Sequence, residues 1–490
     1  MIQILAIDAG TTGVTAVLFD GELKPIGRSY REFAQQFPQP GWVEHRAGDL
    51  LGAVDEVLHE LLATVPGKID AVGITNQRET VFAVDRSTGK ALGNGIVWQD
   101  RRTAERCREY EAAGHGGQVR SLTGLLLDPY FSATKMQWLL EQRPKVADCA
   151  ERGELVFLTV DSLVAAHLGI GPEAVTDRTN ASRTMLLDIE TLSWSPALLE
   201  RFGVAPASLP KVLPSAAEYG MVSLPGGRTA PLTGIAGDQQ AALFGQGCWD
   251  AGRSKITYGT GCFLVAHAGK ERPEDVPGLL TTLAADKKGG PAYATEGSVF
   301  SGGLVIQWLR DGLGLIEQAS ESEALARSVP DTGGVHLIPA FSGLGAPYWD
   351  PDARAALLGL TRGTTRAHVA RAALEAIAWQ CSEILAGFGI EGSGPGIQVD
   401  GGATSNDLLM QMQADFSGTR VLRSAQAEST ARGVAALAGI GAGIWDDIAG
   451  VSAFREPPEV FEVQLAASER EQRFQAWRAA VARVRTHAEL

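Results

Sequence analysis

The chain has 490 residues, a formal net charge of −14, 45% apolar and 20% charged residues. That length supplies roughly two to four domains with substantial cores, and the acidic balance excludes nonspecific nucleic-acid binding as a function. A phosphorylated ligand stays possible, because local donors and a metal can outweigh net charge. No apolar run reaches the roughly 18 residues of a membrane helix, and Met1 to Leu5 reads as a strand instead of a signal peptide. The five scattered cysteines (Cys107, Cys149, Cys248, Cys262, Cys381) suit a reducing cytoplasm and form no zinc pattern.

Ile2 to Ile7 is apolar and ends at Asp8. Ala9-Gly10-Thr11-Thr12-Gly13 follows, then a second apolar run from Val14 to Phe19. This predicts a β-hairpin whose turn can either aim N–H groups and hydroxyls at phosphate or serve only as a Gly-rich turn. A helix is expected over 48–63, with Leu51, Val54, Leu58, Leu61 and Leu62 on one face. Two strands, 72–74 and 81–84, enclose the polar run Thr75 to Thr80, where Arg78 sits beside Glu79. A guanidinium fork next to a carboxylate suits a molecule with adjacent hydroxyls; the alternative is a solvated hairpin loop. A strand at 96–98 ends in Trp98, which suits either the core or the apolar edge of a polyol. Helices are expected near 103–113 and 132–140, with Tyr130 on the turn between them, then a strand at 155–158 and a helix at 162–168. Pro206, Pro210, Pro214 and Pro231 mark an expected loop-rich segment. After it, Ile235-Ala236 runs into Gly237-Asp238-Gln239, a strand end able to aim a carboxylate into a cleft or simply a turn.

Strand, Gly-Thr turn and strand return at 253–257, Tyr258 to Gly261, and 262–267. The echo is a weak internal repeat. It predicts two related α/β domains, 1–247 and 248–490. The second half adds an apolar helix through Val305, Ile306, Trp308 and Leu309, and a Gly/Pro-rich loop at 339–347. A helix over 366–385 is expected, capped by Thr364 or Thr365. The strand 397–399 then passes through Asp400-Gly401-Gly402 into a helix with Leu408, Leu409, Met412 and Phe416 inward. That entry suits nucleotide contact or tight strand–helix packing. The last expected element, from about 468 to 488, is an amphipathic docking helix.

Walker A, G-x-G-x-x-G, nucleophile-elbow and H-E-x-x-H patterns are absent from the sequence. Two isolated aspartates at strand ends, Asp8 and Asp238, together with the Gly/Thr turns suggest metal-assisted phosphoryl transfer. The runs Asp8 to Thr12, Gly73 to Thr80, Ile96 to Arg102, Gly234 to Gln246, Tyr258 to Phe263, Gly343 to Pro351 and Asp400 to Ala403 resemble, in order and over nearly the whole chain, the FGGY carbohydrate kinase family in its glycerol-phosphorylating members.

The resemblance implies an α/β fold of two actin/hexokinase-like (ribonuclease-H-like) domains around a central ATP/substrate cleft. It implies ATP-dependent phosphorylation of glycerol to sn-glycerol 3-phosphate, with Asp238 as general base. Arg78, Glu79, Trp98, Tyr130, Asp238, Gln239 and Phe263 would line the glycerol pocket. Thr11, Thr12, Gly13, Thr260, Gly303 and Gln307 would meet the ATP phosphates, and Gly402 and Asn406 would lie near the adenosine. Asp8, with Asp238, would help hold Mg²⁺. Two departures stand out: Thr15, on the nucleotide side, replaces a common Arg, and the loop Leu224 to Thr229 is short, with Thr229 where some relatives have Arg. No His lies between Lys211 and Cys248, so neither bisphosphate nor phosphohistidine control is expected. The expected partners are glycerol, ATP and further copies of the chain in a dimer or tetramer, in the cytoplasm. A kinase for another polyol or sugar, such as erythritol or xylulose, is the alternative. A non-catalytic, nucleotide-dependent actin-like protein is a third reading.

Overall fold

Two large mixed sheets organise the chain, and each is built around a hairpin with a Gly/Thr turn. The computed structural model describes residues 2–171, 174–286, 290–390, 394–425 and 428–486. The first sheet consists of β1 (Gln3–Ala9), β2 (Gly13–Asp20), β3 (Pro25–Glu32), β4 (Ala71–Asn76), β5 (Ala216–Leu224) and β6 (Arg228–Gly237), in the order β5-β6-β4-β1-β2-β3. The second consists of β7 (Ser254–Tyr258), β8 (Cys262–Gly269), β9 (Leu280–Leu283), β10 (Tyr293–Val299), β11 (Ile397–Asp400), β12 (Val421–Arg423) and β13 (Glu459–Phe461), in the order β9-β10-β8-β7-β11-β12-β13. The plans correspond. An antiparallel meander (β1-β2-β3; β7-β8-β10) is followed on its β1 or β7 side by two parallel strands (β4, β6; β11, β12). The weak echo in sequence is thus a repeat of strand topology.

β1, β4 and β6 read as continuous apolar runs because their faces are covered by helices. α1 (Ala47–Ala63) buries Leu50, Val54, Val57, Leu58, Leu61 and Leu62 on one side. α2 (Asp238–Gly245) leaves the end of β6 directly, and the short α3 (Gly303–Gln307) passes into a wider π-helical turn, Trp308–Gly312. α4 (Arg366–Gly387) is capped by Thr365, whose box is completed by His368. α5 (Asp407–Ser417) is capped by Asn406, whose side-chain oxygen accepts from the Leu409 amide at 2.9 Å.

α6 (Ser429–Gly441) lies against the first sheet although it follows β12 of the second. Its run of Ala and Gly brings backbone onto backbone: a Cβ on Gly73 would stand 2.7 Å from the Val434 carbonyl, and one on Gly234 would stand 2.6 Å from the Ala438 nitrogen. α7 (Ala467–Val481) is the expected docking helix, burying Trp477, Ala480 and Val481. Phe474 stacks on Trp379 of α4 with centroids 5.7 Å apart. The last part of that expected span, 487–488, lies outside the described residues.

One expectation is corrected. The Pro-punctuated segment before Asp238 is not one loop: Pro206 opens a short 3-10 turn, Pro210 and Pro214 flank the short strand Lys211–Leu213, and Pro231 lies within the β5–β6 hairpin. Pro231 is tolerated because β6 starts pairing with β4 only at Leu232, so its missing N–H breaks no bond on that side. The short Leu224–Thr229 connection is a tight turn in which Arg228 donates to the Leu62 and Val65 carbonyls at the end of α1. Among the described residues no helix is long and apolar enough to cross a membrane, and the five cysteines are buried and unpaired.

Candidate active site

The register of the first sheet brings three strand ends to one level: Ala9 and Gly237 both pair with Asn76. Asp8 therefore stands near the carboxyl end of β1, Arg78 and Glu79 just beyond β4, and Asp238 just beyond β6. Parallel strands place ligands at this edge, outside their carboxyl ends. Thr257 of β7 likewise pairs with Asp400 of β11, so the second Gly/Thr turn and Gly401-Gly402 share an edge of the second sheet.

The first turn is held from beneath. Gly10 donates its amide to the Gly13 carbonyl at 3.0 Å, and Gln77 Nε2 donates to the Gly10 carbonyl at 2.9 Å. Gly13 is required there: a Cβ would meet the Tyr30 ring at 2.7 Å. Thr12 is exposed at the tip, and Thr11 accepts from Trp98 Nε1 at 3.0 Å, leaving its own hydroxyl proton free to donate. Thr15 is buried on β2, opposite Asp8 in the hairpin register. In the second turn, the Gly303 amide donates to the Gly259 carbonyl at 2.8 Å and the Gly302 amide to the Thr260 carbonyl at 2.9 Å. Thr260, Gln307 and Gly402 are exposed, as an anion or nucleotide surface requires.

Beside the first turn lies a cluster of aromatic and charged side chains. Trp98, Tyr130 and Phe263 meet edge-on, with Trp98 centroids 5.5 Å from Tyr130 and 6.2 Å from Phe263. Phe263 belongs to β8, so the second sheet supplies one wall. Arg78 is buried at the floor. Its two terminal nitrogens take both oxygens of Glu296 on β10, at 2.6 and 2.9 Å, and Nη1 also reaches Gln240 Oε1 at 3.2 Å. Its Nε lies 3.4 Å from Asp238 Oδ1 and 3.8 Å from Glu79 Oε1. Glu79 holds a left-handed backbone (φ 61°), a costly conformation for a non-glycine residue that recurs at functional sites. It accepts from Arg183 Nε at 2.6 Å, and Arg183 Nη2 donates to Glu296 at 3.0 Å. Burial raises the Glu296 carboxyl, but Arg183 and Arg78 outweigh it and hold it at about 2.

Asp238 is the open member of the floor, with 31% of its side chain exposed against 2% for Arg78 and Glu79. The Gln239 amide donates to Asp238 Oδ1 at 2.7 Å and Gln239 Nε2 to Oδ2 at 3.3 Å. The Gln239 carbonyl oxygen in turn accepts from the buried ammonium of Lys255, which also donates to Thr257 at 2.8 Å. Burial draws Lys255 down to about 8 against the pull of Asp400 and Asp238. Asp8 is pushed up to about 8 by burial and by the carboxylates of Asp238 and Glu428. Two mutually repelling carboxylates on one cleft edge are the oxygen donors that a hard divalent cation takes, so Asp8 and Asp238 fit a Mg²⁺ site. A separate trio, Asp85, Cys149 and Glu154, brings possible ligand atoms within 4.8 Å of one another, and Asp85 is already engaged by Ser87 and Thr88.

The structure thus brings Arg78, Glu79, Trp98, Tyr130, Asp238, Gln239 and Phe263 into one cluster of contacts, joined to the first turn through Thr11. Asn406 has a structural duty not read from sequence: it caps α5 and reaches Ser322 at 3.4 Å. Glu296, Arg183 and Lys255 were not foreseen. Their partners lie 218, 104 and 16 residues away, so no local spacing signals them. The one available hint is a charged residue inside an otherwise strand-like run, as with Glu296 and Lys255.

Two sheets of one repeated plan, with carboxylates and glycine turns at their strand ends, make a two-domain α/β fold. The family model for the N-terminal domain of the FGGY family of carbohydrate kinases matches residues 3–245, and that for its C-terminal domain matches 254–442. The chain belongs to the FGGY family of carbohydrate kinases. It is 48% identical over 487 residues to the glycerol kinase of Halorhodospira halophila, covering 98% of this chain and 96% of that one. It is 49% identical to the glycerol kinase of Shewanella oneidensis, covering 99% of each. Among solved structures, glycerol kinase from Plasmodium falciparum with ADP superposes with a TM-score of 0.93 at 35% identity, over 100% of this chain and 99% of that one. A xylulose kinase from Lactobacillus acidophilus shares the fold, with a TM-score of 0.86 at 21% identity over 99% and 98% of the two chains.

Proposed function

We propose that this chain transfers the γ-phosphoryl group of ATP to glycerol, forming sn-glycerol 3-phosphate and ADP. The carrying observation is the convergence of Arg78, Glu79 and Asp238 beneath three aromatic walls, in a chain about 48% identical to a glycerol kinase over nearly its full length.

Glycerol has three hydroxyls on three carbons. Arg78 and Glu79 hold two of them by paired hydrogen bonds, while Trp98, Tyr130 and Phe263 cover the carbon edge. Gln239 contributes a further polar contact. The third, terminal hydroxyl is left beside Asp238, which accepts its proton as the bond to phosphorus forms. Such general-base assistance contributes typically about 10²–10⁴-fold in rate. Thr11, Thr12 and Gly13 from the first turn, with Thr260, Gly303 and Gln307 from the second sheet, align the phosphates. Gly402 and Asn406 border the adenosine, and Thr15 stands behind the first turn. Alignment and charge neutralisation supply most of the remaining barrier reduction. Asp8 and Asp238 would hold Mg²⁺, whose charge would offset that of the phosphates. Residues 1–247 supply most of the polyol side and 248–490 most of the nucleotide side, with Phe263 and the Thr11-Thr12-Gly13 turn crossing between them, and closure excludes water from the phosphoryl group.

A coupled assay of ADP release over a polyol panel tests this reading. The highest kcat/KM is expected with glycerol, with one sn-glycerol 3-phosphate per ADP. A higher value with erythritol or xylulose would replace glycerol as substrate.

A further inference from the structure

We propose that Glu296 is a positioning residue of the polyol pocket, contributed by the second sheet to set Arg78 in the first. The inference rests on the reading that Arg78 and Glu79 hold the polyol hydroxyls. Glu296 itself is fully buried on β10, flanked in register by Val265 of β8 on one side and Leu280 of β9 on the other. A lone carboxylate does not persist in such surroundings without compensation. Its compensation is directional. Oε2 takes Arg78 Nη1, and Oε1 takes both Arg78 Nη2 and Arg183 Nη2.

The consequences follow from donor counting. A guanidinium has five N–H donors in a rigid fork. With Glu296 on one edge of Arg78, Gln240 on Nη1 and the outer proton of Nη2 donating weakly to the Tyr130 hydroxyl at 3.5 Å, the donor left for a ligand is Nε, with Nη2 available where a hydroxyl displaces that long contact. Glu296 therefore decides which edge of Arg78 faces the pocket. It acts on Glu79 as well, through Arg183, whose guanidinium is pinned between Glu296 and Glu79 and covers the Tyr130 and Phe131 rings at 5.5 and 5.1 Å.

A second effect concerns Asp238. Arg78 Nε already lies 3.4 Å from Asp238 Oδ1. Glu296 is the stronger pull that keeps the fork from turning onto that carboxylate. Without it, Arg78 swings toward Asp238 and leaves the polyol site. Because Glu296 and Arg78 sit in different sheets, the polyol site is complete only when β10 is seated against the first sheet.

The test is a steady-state comparison of the parent with Glu296→Gln and Glu296→Asp. The parent is first assayed over polyols, and its best substrate is used for the variants, so an unexpected substrate would replace the glycerol reading without touching this one. Glu296→Gln is expected to raise the polyol KM by at least about tenfold while the ATP KM stays within about twofold. Glu296→Asp keeps the charge but shortens its reach, and is expected to show the same selective rise, reduced to about threefold. Thermal melting of each variant is measured alongside, and Glu296→Asp carries the test if Glu296→Gln does not fold. Equal rises in both KM values, or an unchanged polyol KM in a folded variant, would overturn the proposal. A parent without polyol-dependent turnover would overturn both this proposal and the reading it rests on.

Discussion

The ammonium of Lys255, buried on β7, donates to the side-chain oxygen of Gln239, the residue that follows Asp238. This contact crosses from the second sheet to α2, the helix that leaves β6, and fixes the amide of Gln239 so that its Nε2 faces Asp238. Replacing Lys255 by Met removes the anchor while keeping the length of the side chain. The expected result is a fall in kcat of about tenfold or more, because Gln239 and with it Asp238 lose their orientation. Steady-state kinetics on the folded variant check it; a kcat within about twofold of the parent would separate Lys255 from the chemistry.

Gly73 offers a test of the packing of α6 on the first sheet. A Cβ there meets the Val434 carbonyl at 2.7 Å, a backbone atom that no rotamer change can move. Gly73→Ala is expected to destabilise the fold by about 1–3 kcal/mol. Denaturant melts of parent and variant measure it. Gly48→Ala on α1, where a Cβ meets nothing within 4 Å, serves as the clash-free control and is expected to stabilise by up to about 1 kcal/mol.

His45 gives the fold a pH dependence with a definite sign. The ring is buried edge-on against Phe33, with Nδ1 3.3 Å from Gln77 Nε2 and no partner for Nε2 among the described residues. Burial lowers it from 6.5 to about 4. Above pH 6.5 both folded and unfolded states carry neutral His45, so its contribution is fully present. As the pH falls from 6.5 to 4 the unfolded chain takes up a proton that the folded chain refuses, and up to about 3 kcal/mol is lost. His45→Gln cannot take up that proton. Its stability deficit relative to the parent, measured by urea melts, is expected to be smaller at pH 4 than at pH 7.

Asn406 separates capping from nucleotide contact. Asn406→Asp retains a side-chain oxygen for the Leu409 amide, so α5 should keep its cap, whereas Asn406→Ala is expected to cost about 1 kcal/mol of stability. A raised KM for ATP in the Asp variant, with melting unchanged, is the outcome expected if the side chain borders the adenosine.

Much of this architecture was readable because it is local. The Gly/Thr hairpins, α1, α4 and the entry into α5 each follow from runs of neighbouring residues, and Asp8, Arg78 and Asp238 each stand just after or within an apolar strand. What was not readable depends on distance or on close backbone approach. The β5–β6 hairpin hid behind Pro231, which a one-sided strand start tolerates. The crossing of α6 onto the first sheet depends on Gly73 and Gly234 facing its Ala/Gly run, a match between residues more than 200 apart in sequence for Gly234 and more than 350 for Gly73. Arg183 and Glu296 carry charge where solvent is absent, and only the folded chain reveals that they neutralise Arg78 and Glu79.

The central claim is that Asp238 takes the proton from the polyol hydroxyl during phosphoryl transfer. Rapid-quench single-turnover measurement on Asp238→Asn, with saturating MgATP and glycerol, addresses it most directly. The phosphorylation step is expected to slow by at least about a hundredfold, while the variant melts like the parent. A single-turnover rate near that of the parent would contradict the assignment of Asp238 as the base.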